Sequence, residues 1–182
     1  MKIINTPFEG LLVIEPKVHL DARGYFFEAF NKRLFHEMGI DFDCVQENQS
    51  HSKKNTVRGL HFQKRPRAQA KLVRVVKGRI LDAVVDLRTS QPTFGKVFTI
   101  ELSSEEKKFL LVPKGFAHGF SVLSEEAEVV YSCDEYYYPE CDAGILHSDS
   151  ALGIDWKVKD ADRIVSAKDL SLPVLSAAVF SF

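Results

Sequence analysis

The sequence predicts an all-β fold, specifically a jelly-roll-like β-sandwich or barrel with a few short helices. Short segments rich in β-branched and aromatic residues recur at roughly 8–12-residue intervals, with turn residues between them. The 182 residues fit one domain, with 45% hydrophobic and 27% charged residues, as in an ordinary globular protein. We therefore expect residues 1–182 to form a single domain.

The individual elements follow from local patterns. Alternating apolar residues predict strands, and glycine or a "SQPTFG" turn at 90–95 separates several of them. The predicted strands cover residues 57–63, 71–78, 79–88, 96–102, 108–115, 118–124 and 127–137. A helix is expected over residues 31–39, where Leu34, Phe35 and Met38 share a face and Gly39 ends it. A second short helix is expected near residues 168–172.

The bulk properties exclude several classes of function. A formal net charge of −1 gives no basic surface for nucleic acid. No apolar run approaches the roughly 20 residues of a membrane helix, and the N-terminus lacks the layout of a signal peptide. The odd set Cys44, Cys133 and Cys141 contains no CxxC pair. It indicates reduced thiols in a cytoplasmic protein.

The stretch "VRGLHFQ" at 57–63 places a histidine among apolar residues. Strand alternation puts His61 and Gly59 on one face, with Leu60 and Phe62 on the other. A core histidine bonded to a backbone carbonyl is the simplest interpretation. A functional role therefore needs support from other stretches.

The stretch "PKGFAHGF" at 113–120 resembles the second motif of the cupin superfamily of small β-barrels. Cupins usually bind a metal with an H-x-H pair, a glutamate and a later histidine, which matches His118. Here His61 has no second histidine two residues on, and no glutamate occurs between Gln63 and Gly78. Lys71 stands in that interval instead. Two histidines without a carboxylate make a poor divalent site, so we expect no metal and a preference for an anion.

A neutral imidazole beside an ammonium group suits proton abstraction next to a carbonyl. The reference pKa of imidazole, about 6.5, leaves it mostly unprotonated at neutral pH. One donor such as Lys71 at the forming enolate is typically worth about 3–4 kcal/mol. Inversion of a carbon also needs a proton carrier on the opposite face. Strand alternation through residues 129–139 puts Tyr131 and Tyr137 together, although an aromatic core and an exposed lysine are the structural alternatives.

The stretch "HLDARGYFFEAF" at 19–30 offers groups that suit a nucleotide, although its Asp-Ala-Arg-Gly segment also fits a simple turn. Arg23, with Arg58, has the planar guanidinium that binds phosphate. Phe26 could stack on a base, and Glu28 could accept an N–H from one. The "QEN" stretch of Gln46, Glu47 and Asn48 adds polar groups.

Together these motifs resemble the dTDP-4-dehydrorhamnose 3,5-epimerase family over nearly the whole chain. The motifs are D-x-R-G-x-F-x-E, Q-x-N, R-G-L-H-F-Q, Q-A-K-L-V-x-V, P-x-G-x-A-H-G-F and the tyrosine pair. The resemblance implies a single cupin-like epimerase domain that needs no cofactor. It would act on a nucleotide-sugar substrate, dTDP-4-keto-6-deoxy-D-glucose, at C3 and C5.

The resemblance also implies roles for individual residues. His61 would be the catalytic base, held by Asp169, with Tyr131 as proton donor and Lys71 at the enolate. Tyr137 would stack on thymine. The remaining expected substrate contacts are Arg58, His118, Gln46, Glu47, Asn48, Asp142 and Lys168, together with Arg23, Phe26 and Glu28. Arg23 and Glu28 would come from the partner subunit of a homodimer by strand exchange.

Several alternatives stay open from the sequence. The chain could be a single-site C3 or C5 epimerase of another nucleotide-linked 4-keto sugar, a metal-dependent cupin oxygenase, or a catalytically silent binding module. The nucleotide base and the polysaccharide pathway are also undetermined. Asp142 stands where the family often has glutamate. The apolar tail "SLPVLSAAVFSF" matches no family motif, and it could pack at a subunit interface.

Overall fold

The structure, a computed structural model that describes residues 1–182, is built almost entirely from short strands. The strands are β1 (Lys2–Asn5), β2 (Leu12–Glu15), β3 (His19–Asp21), β4 (Gly24–Phe26), β5 (Gln46–Lys53), β6 (Val57–Gln63), β7 (Lys71–Lys77), β8 (Arg79–Asp86), β9 (Val97–Ser103), β10 (Phe109–Val112), β11 (Phe116–Val122), β12 (Glu126–Cys133) and β13 (Asp142–Gly144). The α-helices are α1 (Lys32–Glu37) and α2 (Ala167–Leu170), with 3-10 turns at Pro139–Cys141, Asp160–Asp162 and Leu175–Ala177. The predicted all-β class with a few short helices is confirmed.

The strands form two antiparallel sheets. One has the order β1-β2-β10-β7-β12-β5, the other the order β13-β6-β11-β8-β9, and β3-β4 is a separate hairpin. The pairs β5·β12, β6·β11, β7·β10 and β8·β9 are nested, and they alternate between the two sheets. This nesting is the jelly-roll arrangement, so that prediction is also confirmed.

The core lies between the sheets. Apolar residues from both sheets, such as Val73 of β7 and Val84 of β8, form one cluster of fully buried side chains. All seven residues of β11 are buried. Strands at the centre of a sandwich are fixed by such packing, so side chains that point inward from β6, β7, β11 and β12 have well-defined positions.

The structure corrects the predicted end of one strand. β12 ends at Cys133, and residues 134–138 form a loop before the 3-10 turn that starts at Pro139. The predicted strand over 127–137 is therefore too long, and strand alternation does not relate Tyr131 to Tyr137. Strand β5 was not predicted, because its sequence QENQSHSK is polar throughout.

The C-terminal tail packs on its own domain. The rings of Phe180 and Phe182 lie 6.2 and 6.0 Å from the ring of Phe62, both edge to face. This contact places the tail behind β6, next to the strand that carries His61. Neither α1 nor α2, nor any other helix, is long and apolar enough to cross a membrane.

Candidate active site

His61 and Asp169 form a hydrogen-bonded pair. β6 carries His61, and its Nε2 lies 2.9 Å from Oδ1 of Asp169, which α2 holds at 4% exposure. Burial raises the pKa of Asp169, but hydrogen bonds from His61 and from the Gly59 amide outweigh it and lower the pKa to about 2. The carboxylate is therefore ionised and accepts the hydrogen of Nε2. Nδ1 of His61, which makes no hydrogen bond in the protein, carries the lone pair.

The close packing of β6 against β11 requires a glycine two residues before His61. The backbone of Gly59 has a φ of +101°, and a Cβ there would lie 2.6 Å from the carbonyl oxygen of His118 and 2.7 Å from Cα of Gly119. Only glycine allows this close approach of β6 to β11. The same residue donates its N–H to Oδ2 of Asp169 at 3.0 Å. Gly59 thus brings Asp169 and both central strands together.

Two adjoining cavities meet at these residues. One has a volume of about 650 Å³ and the other about 300 Å³. Both are lined by His61, Lys71, Tyr131 and Lys168. The larger cavity is also lined by Lys53 and Arg58, and Asp169 is its only carboxylate. The excess of cationic groups favours an anionic ligand.

Lys71 and Tyr131 lie on the sheet opposite His61. Lys71 begins β7 and Tyr131 lies on β12, and the ammonium is 5.9 Å from the centre of the tyrosine ring. Burial lowers the pKa of Lys71, although the charges of Asp142 and Asp82 raise it. Burial also raises the pKa of Tyr131. Neither side chain has a hydrogen-bond partner in the protein, so both polar groups are available to a ligand.

The sheets therefore present an imidazole on one wall and a phenol on the other. A ligand held where the two cavities meet lies between His61 on one sheet and Tyr131 on the other. Proton removal from one face and proton return to the other is the geometry that inversion requires. This is the chemistry that the arrangement supports.

Arg58 and His118, which were expected to contact the substrate, line the larger cavity. The guanidinium of Arg58 donates from Nε to Oγ of Ser52 at 2.9 Å, which orients its outer nitrogens. His118 pairs with His61 across β11 and β6, and its Nε2 lies 2.9 Å from Oδ2 of Asp82. Sequence reasoning missed Asp82, because a single aspartate in the apolar strand "RILDAVVD" carries no motif.

The smaller cavity collects a second predicted group: Gln46, Asn48, Tyr137, Asp142 and Lys168 all line it. Gln46 donates to Asn48 and accepts the backbone N–H of Tyr137, so this contact fixes the loop after β12. The carboxylate of Asp142 accepts hydrogen bonds from Tyr137 and Lys168.

Four predicted residues lie elsewhere. Glu47 points to the opposite face of β5, where it accepts a hydrogen bond from Ser132, and it lines neither cavity. Arg23 and Phe26 belong to the β3-β4 hairpin, whose residues are all exposed. Phe26 is 70% exposed, and Glu28 accepts a hydrogen bond from Asn31. The chain does not bring these residues to its own cavities.

No group of three or more His, Cys, Asp or Glu side chains is arranged to hold a metal ion. Three histidines line the larger cavity, His51, His61 and His118, and each is bonded to a carboxylate. The Lys71 ammonium lines the same cavity and repels cations. The donor set therefore does not fit the metal that cupins usually carry.

Comparisons with known proteins place the chain in a family. The sequence profile of the dTDP-4-dehydrorhamnose 3,5-epimerase family matches residues 5–177. A dTDP-4-dehydrorhamnose 3,5-epimerase of Salmonella typhimurium is 45% identical over 182 residues, which are 100% of this chain and 99% of the relative.

Solved structures are equally similar. A dTDP-4-dehydrorhamnose 3,5-epimerase from Elizabethkingia anophelis has a TM-score of 0.93 and 47% identity, covering 97% of both chains. A dTDP-6-deoxy-D-glucose-3,5-epimerase from Legionella pneumophila, in complex with dTDP-4-keto-L-rhamnose, has a TM-score of 0.92 and 42% identity. That match covers 97% of this chain and 93% of the other.

Proposed function

Because the chain belongs to the dTDP-4-dehydrorhamnose 3,5-epimerase family, we infer that it is an isomerase of dTDP-L-rhamnose biosynthesis, and we propose how its residues act. The substrate is dTDP-4-keto-6-deoxy-D-glucose, and epimerisation at C3 and C5 gives dTDP-4-keto-L-rhamnose. The observation that carries the proposal is the meeting of His61, Lys71 and Tyr131 where the two cavities join.

In the first step, His61 removes a proton from a carbon next to the C4 ketone. Nδ1 is the reacting atom, because Asp169 holds the hydrogen on Nε2. The imidazolium that forms gains the full charge–charge attraction of the ionised Asp169. The pair thus stabilises the product of proton transfer more than the starting state, which is what accelerates the step.

Lys71 stabilises the enolate that results. Its ammonium has no carboxylate partner in the protein, so the strongest available partner for it is the developing oxygen anion. Burial strengthens this interaction, because fewer water molecules screen the two charges.

Tyr131 returns the proton on the opposite face. Burial raises the pKa of its phenol, so the hydroxyl keeps its proton until a strongly basic carbanion lies next to it. His61 then releases its proton to solvent and Tyr131 regains one from solvent, after which the same groups act at the second carbon. No oxidation occurs overall, so the reaction needs no redox cofactor.

The nucleotide half of the site is proposed to require a second copy of the chain. Arg23 and Phe26 project from an exposed hairpin, and Glu28 also lies outside the cavities. In a homodimer that exchanges this hairpin, these residues would reach the partner's site. Tyr137, which is 51% exposed, would then stack on thymine.

We also propose a cytoplasmic location. Cys44, Cys133 and Cys141 are all free thiols. A reducing compartment keeps such thiols unpaired.

Mass spectrometry of the substrate in heavy water tests the proposed reaction. The enzyme should introduce two deuterons, one at C3 and one at C5. One deuteron would indicate a single-site epimerase instead. No enzyme-dependent uptake would show that the substrate is wrong. His61→Ala is the matched control, because it should abolish both exchanges.

A further inference from the structure

A second histidine–aspartate pair lies beside the first. His118 and His61 are directly paired across β11 and β6, and each ring is bonded through Nε2 to a carboxylate. The two aspartates come from different elements: Asp169 from α2 and Asp82 from β8. The proposed reaction uses the first pair as a base but gives Asp82 no role.

Asp82 is an unusual residue for its position. It is 0% exposed on a strand that is otherwise apolar between Ile80 and Val85. Its Oδ2 is bonded to His118, and its Oδ1 is buried without a hydrogen-bond partner. A buried carboxylate with an unpartnered oxygen costs free energy of folding, and an apolar residue would cost less. Stability alone therefore does not explain its presence.

We propose that Asp82 is a positioning residue, which holds the His118 ring so that Nε2 carries the hydrogen and Nδ1 offers a lone pair to a hydroxyl of the bound sugar. His118 is 7% exposed, and the cavity is where this exposure lies. Nδ1 makes no hydrogen bond within the protein, so it is the free polar atom of the ring. The inference rests on the proposed function for the identity of the ligand.

The other charged groups around this pair point to the same arrangement. Lys71 lines the same cavity as His118, and the charge of Asp82 acts on it. With a hydrogen-bond acceptor from His118 and a cation from Lys71, the cavity distinguishes a sugar hydroxyl from a carbonyl oxygen. This distinction orients the keto sugar between His61 and Tyr131.

The first test is the tautomer of His118 in the unliganded protein, measured by long-range proton–nitrogen NMR of 15N-histidine-labelled enzyme. The signal is assigned with His118→Asn. We expect the hydrogen on Nε2 in the wild type and a mixture of tautomers in Asp82→Asn. A wild-type ring with its hydrogen on Nδ1 would overturn the proposal, and this readout does not depend on any substrate.

The second test is kinetic. Asp82→Asn should lower kcat about 10- to 100-fold, the range seen when groups that orient functional metal-bound histidines are removed. The double variant Asp82→Asn/His118→Asn should be no slower than His118→Asn alone, because Asp82 acts through that ring. Additive losses, or an unchanged kcat in Asp82→Asn, would contradict the proposal.

Asp86→Asn is the matched control. Asp86 is also 0% exposed and lies on the same strand, but its partner is Arg88 and it does not line the cavity. The Asp86→Asn substitution should lower the thermal midpoint of unfolding and leave kcat and the His118 tautomer unchanged. A wild-type enzyme that is inactive on the proposed sugar would refute the proposed function, whereas the tautomer measurement would still decide the role of Asp82.

Discussion

Replacement of Asp169 by asparagine tests the proposed base most directly. The structure sets the magnitude: the pKa of Asp169 falls from 3.8 to about 2 in a side chain that is only 5% exposed. This difference corresponds to about 2–3 kcal/mol in favour of the ionised carboxylate. Burial opposes the shift, so the attraction by His61 and Gly59 is larger than this net value.

In Asp169→Asn the imidazolium formed during proton abstraction loses its own share of this stabilisation, because His61 is one of the groups that lower the pKa of Asp169. A share of about 2 kcal/mol corresponds to a fall in kcat of about 30-fold. An amide can also donate to Nε2 and so stabilise the wrong tautomer, which costs about 10⁴-fold in serine-protease triads. The expected loss lies between these limits, with the KM for the nucleotide sugar changed much less.

The assay is the initial rate of deuterium uptake from heavy water at saturating substrate. Asp149→Asn is the control, because Asp149 is also buried and accepts two backbone N–H groups but lies outside the cavities. It should retain full kcat. If Asp169→Asn keeps a kcat within a few-fold of wild type, the assignment of His61 as the base is refuted.

Four further results are expected. Tyr131→Phe should reduce kcat about 10²- to 10⁴-fold, measured by deuterium uptake, while dTDP affinity by calorimetry stays unchanged; full speed would exclude Tyr131 as the acid. Lys71→Met should lower kcat/KM by an amount equivalent to about 3–4 kcal/mol. A smaller loss of kcat/KM in Lys71→Met than in Lys71→Arg would contradict the role of Lys71 as an oxyanion donor. In denaturant titrations, the stability that ionised Asp169 contributes should be present above pH 3.8 and lost as pH falls through about 2, because its folded-state pKa is lowered. Phe180→Ala should lower the free energy of unfolding by about 1–3 kcal/mol, seen as a lower thermal midpoint, whereas Val179→Ala, at a side chain 79% exposed, should not.

The strand pattern predicted most of the fold because the jelly roll depends on local alternation of apolar residues. β8, β10 and β11 have buried residues at nearly every position, and their sequences are rich in β-branched and aromatic residues. β5 was missed because it is polar, and only its pairing with β12 makes it a strand. That pairing is a long-range interaction that no local window contains.

The candidate site was less accessible to local reasoning. His61, Lys71 and Tyr131 could be suggested from residue type and strand face, but Asp169 came only from the family resemblance. A carboxylate on a four-residue helix more than a hundred positions from its histidine has no local signal. Asp82 was missed for the same reason. Strand alternation related Tyr137 to Tyr131 incorrectly, because Tyr137 lies in a loop rather than on β12.

The groups proposed for proton transfer and the groups proposed for nucleotide binding lie on different parts of the chain. All groups proposed to move protons lie on strands of the two sheets or on α2, which packs on β6. Such groups must be held within fractions of an ångström, and a packed sandwich supplies that precision. The groups proposed for the nucleotide lie on an exposed hairpin, which a partner subunit would have to order. A dissociated subunit should therefore keep an intact proton-transfer geometry but bind the nucleotide sugar weakly. Dilution below the dimer dissociation constant should raise KM before it lowers kcat, and the opposite order would mean that the hairpin also supports the catalytic residues.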